Sequence, residues 1–162
     1  MTRQLTAFQL THQASPSSPA SGVTSLFAKT GDVLYTRTSG GTERRVTPGL
    51  VYTFSLAGAV TTGVGAFRVY NDTGDTLTIR SVRASVGTAP TGATLIVDVN
   101  VDGTTIFSTQ SNRPTIAISG NTNKTTGMST TTIADGSYFT VDVDQIGSTV
   151  AGSNLTVQVL LS

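Results

Sequence analysis

The side chains that do most enzymatic chemistry are scarce here: the chain has one histidine, His12, one glutamate, Glu43, and no cysteine. A nucleophile–histidine–carboxylate relay needs its histidine fixed and oriented by a second group. His12 precedes a Pro/Ser/Ala run, so an exposed or partner-contacting imidazole is expected instead. Asp142 and Asp144 share a strand face, and carboxylates spaced by two on an outer face are expected to be solvated rather than to work as a general acid–base pair. Asp98-Val99-Asn100-Val101-Asp102-Gly103 follows the first six positions of a D-x-N-x-D-G calcium loop, but the twelfth position is Thr109, where that loop needs a bidentate Glu. A β-hairpin turning at Asp102-Gly103 accounts for all six residues. Gly63-Val64-Gly65 and the turn at 88–92 lack the lysine and spacing of a phosphate loop. With no cysteine, disulfides and thiolate metal sites are excluded. The expectation is a chain with no catalytic residue, cofactor or metal ligand, and not an enzyme.

Sugar recognition needs exposed aromatic rings. There is no Trp, and Phe54, Phe67, Phe107 and Phe139 lie in strand-like runs where core packing is expected. Tyr70 and Tyr138 have the opposite parity to Phe67 and Phe139 and are the candidate glycan contacts. The sequons at Asn71, Asn123 and Asn154 carry little weight without a secretory signal, and no apolar segment of that kind follows Met1.

Apolar residues make up 37% of the chain and charged residues 12%, low on both counts, and Thr, Ser and Gly fill the difference. Abundant β-branched Thr favours strands. The net charge of +1 offers no concentrated basic face, so no nucleic acid is expected as a partner. Residues 1–50 carry five basic and two acidic side chains, and the remainder five and seven, which makes a mildly basic front on a mildly acidic body. The uncharged stretch Leu50 to Phe67 is broken by Gly58, Gly63 and Gly65 and is not a membrane span.

The texture divides the chain into three. Residues 1–24 carry sparse apolar anchors, Leu5, Phe8 and Leu10, before Pro16 and Pro19, and read as an extended N-terminal arm. Residues 25–49 read as a short β-meander with turns at Thr30-Gly31-Asp32 and Ser39-Gly40-Gly41. Residues 50–162 read as a β-sandwich, with strands expected at 50–57, 65–71, 76–86, 94–101, 104–109, 114–118, 125–133, 138–145 and 154–161. Leu95, Val97, Val99 and Val101 alternate with Ile96, Asp98 and Asn100, and Leu155, Val157, Val159 and Leu161 with Thr156 and Gln158. Leu77 and Ile79 are out of phase with Val82, Ala84 and Val86, which places a bulge near Arg80-Ser81. The expected fold is all-β: a jelly-roll-type antiparallel β-sandwich with an extended N-terminal arm and a short meander.

Two stretches resemble tailed-bacteriophage virion proteins. Leu26-Phe27-Ala28-Lys29-Thr30-Gly31-Asp32-Val33-Leu34-Tyr35-Thr36, followed by Gly40-Gly41-Thr42-Glu43-Arg44-Arg45-Val46, is similar to the fibre hairpin repeat "L(Y/F)xKxxGxLYxxxxxGxExxV", with Gly-Asp where Asp-Gly is usual. Ser81–Asn100, Gly103–Phe107 and Ser153–Val159 are similar to a β-sandwich module at the C-terminus of phage structural proteins. The resemblance implies a non-enzymatic protein on the particle exterior, made in the host cytoplasm without a signal peptide. It implies a homotrimer as well, with Phe27, Val33, Leu34, Tyr35 and Val46 as the expected trimer interface and Leu5, Phe8 and Leu10 as the anchoring residues of the arm. The partners so implied are other copies of the chain and other virion proteins (major capsid or tail proteins), with no membrane. Small size suits a capsid decoration protein, and the hairpin repeat suits a tail fibre or tail tip. The alternative class is a carbohydrate-binding adhesin contacting host-surface glycans through Tyr70 and Tyr138.

Overall fold

A computed structural model describes residues 13–29, 33–46 and 49–162. The anchors Leu5, Phe8 and Leu10, together with His12 and the Thr30-Gly31-Asp32 turn, lie outside the described residues. The chain divides into two compact units, Met1–Pro48 and Gly49–Ser162.

The first unit is an antiparallel meander of β1 (Thr24–Lys29), β2 (Val33–Thr38) and β3 (Glu43–Arg45), in the order β1-β2-β3. Phe27 pairs with Tyr35 across β1 and β2, and Thr36 with Arg44 across β2 and β3. The expected Ser39-Gly40-Gly41 turn joins β2 to β3: the Gly41 N–H donates to the Thr38 carbonyl, and Gly41 takes a φ of 81° that β-carbon-bearing residues avoid. Among the described residues, only Phe27 and Ala28 are buried apolar side chains of this unit.

The second unit is all-β and antiparallel. One sheet runs β10 (Thr122–Thr125), β6 (Leu77–Ser85), β13 (Ser153–Leu161) and β4 (Leu50–Ala59), with β11 (Thr132–Ile133) also on β6. The other runs β5 (Val69–Tyr70), β12 (Tyr138–Gln145), β7 (Leu95–Val101) and β8 (Thr104–Thr105), with β9 (Thr115–Ile116) also on β7. The chain alternates between the sheets from β4 to β7, keeps β8 and β9 beside β7 and β10 and β11 on β6, and alternates again from β12 to β13. Both contribute to one apolar core: Ile79, Val82, Leu155, Val157, Val159 and Leu161 from the first sheet, Leu95, Val97, Val99, Phe139 and Val143 from the second. Tyr52 of β4 meets Phe139 of β12 edge-on, with ring centroids 6.0 Å apart.

The phase change in β6 is a bulge. Leu160 faces Ser81 and Leu161 faces Ile79, so Arg80 is skipped, and Ile79 and Val82 both reach the core. The Asp102-Gly103 hairpin has both residues at positive φ, 50° and 80°, as a type I′ turn requires. Its carboxylate is used locally: Asp102 accepts a hydrogen bond from the Tyr138 backbone N–H at 3.0 Å.

Three expectations are corrected. Of the strand expected at 125–133 only Thr125, the last residue of β10, and β11 are strand, because the Asn112 side chain donates to the Gly127 carbonyl and the Ser129 N–H to the Ile106 carbonyl, drawing the middle off the ladder. The strand expected at 65–71 shrinks to Val69–Tyr70 for a reason given below. The second face of β7 and β12 is only partly wet: Asp98, Asn100 and Thr140 are buried, while Asp144 is exposed. Asn100 donates to Asp142 at 2.8 Å and to Thr140, while Asp98 accepts from the Thr105 hydroxyl at 2.8 Å and the Val99 N–H at 2.7 Å. Burial pushes the Asp98 carboxyl up from its ordinary value, against those two donors.

The sequon residue Asn71 is also buried rather than presented to solvent. Its amide donates to the carbonyls of Asp75 (2.8 Å) and Ile133 (3.1 Å), and its oxygen accepts from the Thr73 hydroxyl at 2.7 Å. Every polar atom of the side chain is satisfied, and removing it takes a buried donor from the Ile133 and Asp75 carbonyls, the latter keeping the Thr73 hydroxyl at 3.3 Å. Asn71→Ala is expected to lower unfolding stability by about 2–4 kcal/mol, measured by urea denaturation; a loss below about 0.5 kcal/mol would show the carbonyls finding water instead.

Candidate functional site

The surface feature that core packing does not explain lies where β4 and β5, the outer strands of the two sheets, flank residues 60–68. Gly63 bridges Val143 through two backbone hydrogen bonds, and Val69 pairs with Phe139. Six residue steps separate Gly63 from Val69, but only four separate Val143 from Phe139. The connecting chain is thus two residues too long for a regular ladder and bulges outward. Two contacts at Gly65 fix the bulge. Its N–H donates to the Asp142 carboxylate at 2.8 Å, and a β-carbon there would fall inside the van der Waals radius of the Val141 carbonyl oxygen. Only glycine allows so close a backbone approach.

This geometry corrects the expectation for Phe67. Strand parity places it in the core, but the bulge turns it out to 80% exposure, with Val64 at 85%. Behind them lies a groove of about 520 Å³ lined by Phe54, Leu56, Val141, Val143, Leu155 and Val157, among others, with Arg68 as its only charged residue. Phe54 is only half-buried and Leu56 is exposed, so the core-facing side of β4 is left partly uncovered.

The structure brings Tyr70 and Tyr138 together as cross-strand partners with ring centroids 5.4 Å apart and planes tilted by 54°. Tyr70 is exposed and Tyr138 half-buried. The Arg68 guanidinium lies 4.5 Å from the Tyr138 ring centroid, a cation–π contact. Tyr138 therefore carries Arg68 over its ring and Tyr70 alongside, which leaves little open face for a sugar to stack on. Arg68 was not among the sequence candidates. The signal for the bulge was present in Gly63 and Gly65, since glycine inside a strand pattern marks irregularity or close approach.

In the first unit, Phe27 is buried and stacks with Tyr35 at 5.9 Å between centroids, Leu34 and Tyr35 are half-buried, and Val46 is exposed. The side chain of Val33 lies outside the described residues. The chain's single glutamate ties all three strands: Glu43 of β3 accepts from Lys29 of β1 at 2.6 Å and from Arg37 of β2 at 2.7 Å. Lys29 also sits 4.6 Å from the Tyr35 ring centroid. Lys29 first, then the Ser15 hydroxyl and Arg37, hold the Glu43 carboxyl at about 2, against an ordinary 4.5. A depressed folded-state pKa contributes stability above the unfolded value and loses it as pH falls through the folded one. Glu43 therefore supports the meander fully above about pH 4.5 and ceases to do so toward pH 2. In an NMR titration its carboxyl is expected to have a midpoint near 2, with meander resonances broadening below pH 3 in advance of the sandwich core; a midpoint near 4.5 would contradict the clip.

Gly65→Ala is expected to destabilise the second unit by at least about 2 kcal/mol. Gly63→Ala, where an added β-carbon meets nothing within 4 Å, is expected to change stability by less than about 1 kcal/mol. Equal effects in thermal denaturation would show that the bulge is not pinned at Gly65.

No protein-family model matches this chain, and neither the search of curated proteins nor that of solved structures found a match.

Proposed function

We propose that this chain is a non-enzymatic structural protein on the exterior of a bacteriophage particle, gathered into a homotrimer by its front unit and joined to the particle by its N-terminal arm. One observation carries the reading. The meander has three short strands with only Phe27 and Ala28 buried among its described apolar residues, while Val23, Leu26 and Val46 stand about half exposed. So small a sheet does not bury enough apolar surface to offset its own ordering, and companion strands supply the deficit. Leu34, Tyr35 and Val46 are the interface candidates with surface left to bury.

The second unit suits the same role. Its strand orders, β10-β6-β13-β4 and β5-β12-β7-β8, with β4 to β7 alternating between the sheets and β12 and β13 in opposite ones, support a jelly-roll reading, an architecture used in viral capsid and lectin domains. In the particle it serves as a capsid decoration protein or as a tail-fibre or tail-tip component. Glycan binding keeps one favourable observation, the exposed Tyr70 ring beside Tyr138, but the cover of Arg68 over Tyr138 weighs against it.

The test is genetic and direct. Deleting residues 1–24 is expected to leave a folded sandwich, by circular dichroism, that no longer co-purifies with particles. Leu34→Glu combined with Val46→Glu in the full chain is expected to cut the native mass to one third, by native mass spectrometry. Normal incorporation of the deleted protein, or trimers unaffected by the two glutamates, would defeat the proposal.

A further inference from the structure

The sheet edges of the second unit are unequal. β5, β8 and β9 are two residues long, and β10 has four residues including Lys124. Short strands and lysine are the usual means of keeping a sheet edge from pairing with another chain. The fourth edge is β4: ten residues, Leu50-Val51-Tyr52-Thr53-Phe54-Ser55-Leu56-Ala57-Gly58-Ala59, with no charge and no proline. Among the described residues it pairs on one side only, with β13. The exposed large apolar side chains gather here too: Leu50, Val51 and Leu56 on β4, Val64 and Phe67 on the bulge. Apart from neighbouring Tyr70, the others in this unit are the scattered Ile118 and Val150.

Two features specify the occupant of this edge. When a strand pairs with its own copy about a two-fold axis, each residue near the axis faces itself, and any charge there would meet its like. β4 meets that demand from Leu50 to Leu56, before its register breaks at Gly58, whose φ is 81°. A two-fold interface also requires each projection to lie beside the cavity that receives its counterpart, so that residue i meets j while j meets i. Phe67 and Val64 project from the rim of the groove lined by Phe54, Leu56 and Leu155. A partner of different sequence would require neither a charge-free edge nor a knob adjacent to its own hole.

We propose that β4 pairs antiparallel with β4 of a second copy of this chain about a local two-fold axis, with Phe67 of each molecule packing over the groove of the other. The contact is separate from the front-unit interface; it doubles whatever number of chains that unit gathers.

The chain has no cysteine, so single-cysteine variants of the full-length protein read the contact cleanly. Val51, Thr53, Ser55 and Ala57 are exposed and alternate along β4. A disulfide needs Cα atoms within about 7 Å, and moving two residues from the axis separates the paired positions by a further ~13 Å. Under mild oxidation, disulfide-linked dimer is expected to peak at one of the four sites and to fall about tenfold two residues away. Thr53→Lys is expected to halve the native mass with the circular dichroism spectrum unchanged, and Ile118→Lys, exposed elsewhere, to leave the mass as it was. Crosslinking no higher at any β4 site than at Ile118→Cys, or a mass indifferent to Thr53→Lys, overturns the proposal; so does an edge reserved for a different particle protein, which gives both results. A native mass unchanged on charging Leu34 and Val46, with the β4 crosslink present, would refute the front-unit reading alone.

Discussion

The Gly65 amide bonded to the Asp142 carboxylate holds the exposed flank of the second unit in its form. Asp142 is in turn held by the Asn100 side chain at 2.8 Å, in a polar network that is largely buried. Buried polar groups of this kind must be satisfied or they cost stability, so the network is rigid where it is complete. The amide is pinned while the chain has two residues to spare, and the surplus must leave the sheet. Phe67 and Val64 are exposed as a consequence of that register, and the groove behind them opens because the same residues do not return to cover Phe54 and Leu56.

The two units solve the problem of marginal cores differently. The sandwich encloses a continuous apolar cluster fed by both sheets, and leaves one flank open. Among its described residues the meander buries only Phe27 and Ala28 as apolar side chains, and Glu43 joins its three strands through Lys29 and Arg37. Partly exposed ion pairs of this type contribute modestly to stability and set geometry more than they hold it. Both units thus present apolar surface that further chains could bury, as the proposed role requires.

Much of the architecture was legible in the sequence, because strand alternation is a local signal. Leu155, Val157, Val159 and Leu161 read as one inward face and are buried. The phase slip after Ile79 announced the bulge at Arg80, and Asp102-Gly103 announced its hairpin. The features that failed to show are those set by partners distant in sequence. Phe67 looked like a core residue because the surplus of two residues appears only when 63–69 is laid against 139–143. Asp98, Asn100 and Thr140 looked solvent-facing because the groups that reach them, Thr105, Asp142 and one another, come from other strands or turns. Of the candidate site residues, the outward side of Tyr70 follows from parity, whereas its pairing with Tyr138 and the placing of Arg68 over Tyr138 depend on chain distant in sequence.

Amide hydrogen exchange on the full chain, followed across a dilution series, tests most directly whether companion copies complete this molecule. Strands buried by other copies should lose protection as the complexes separate, while strands in a molecule's own core should not. Slow exchange in β1–β3 and along the outer side of β4 that speeds up on dilution, with β7 and β13 unchanged, is the result expected. Protection of the meander and of β4 that is the same at every concentration, in a protein of single-chain mass, would contradict the account.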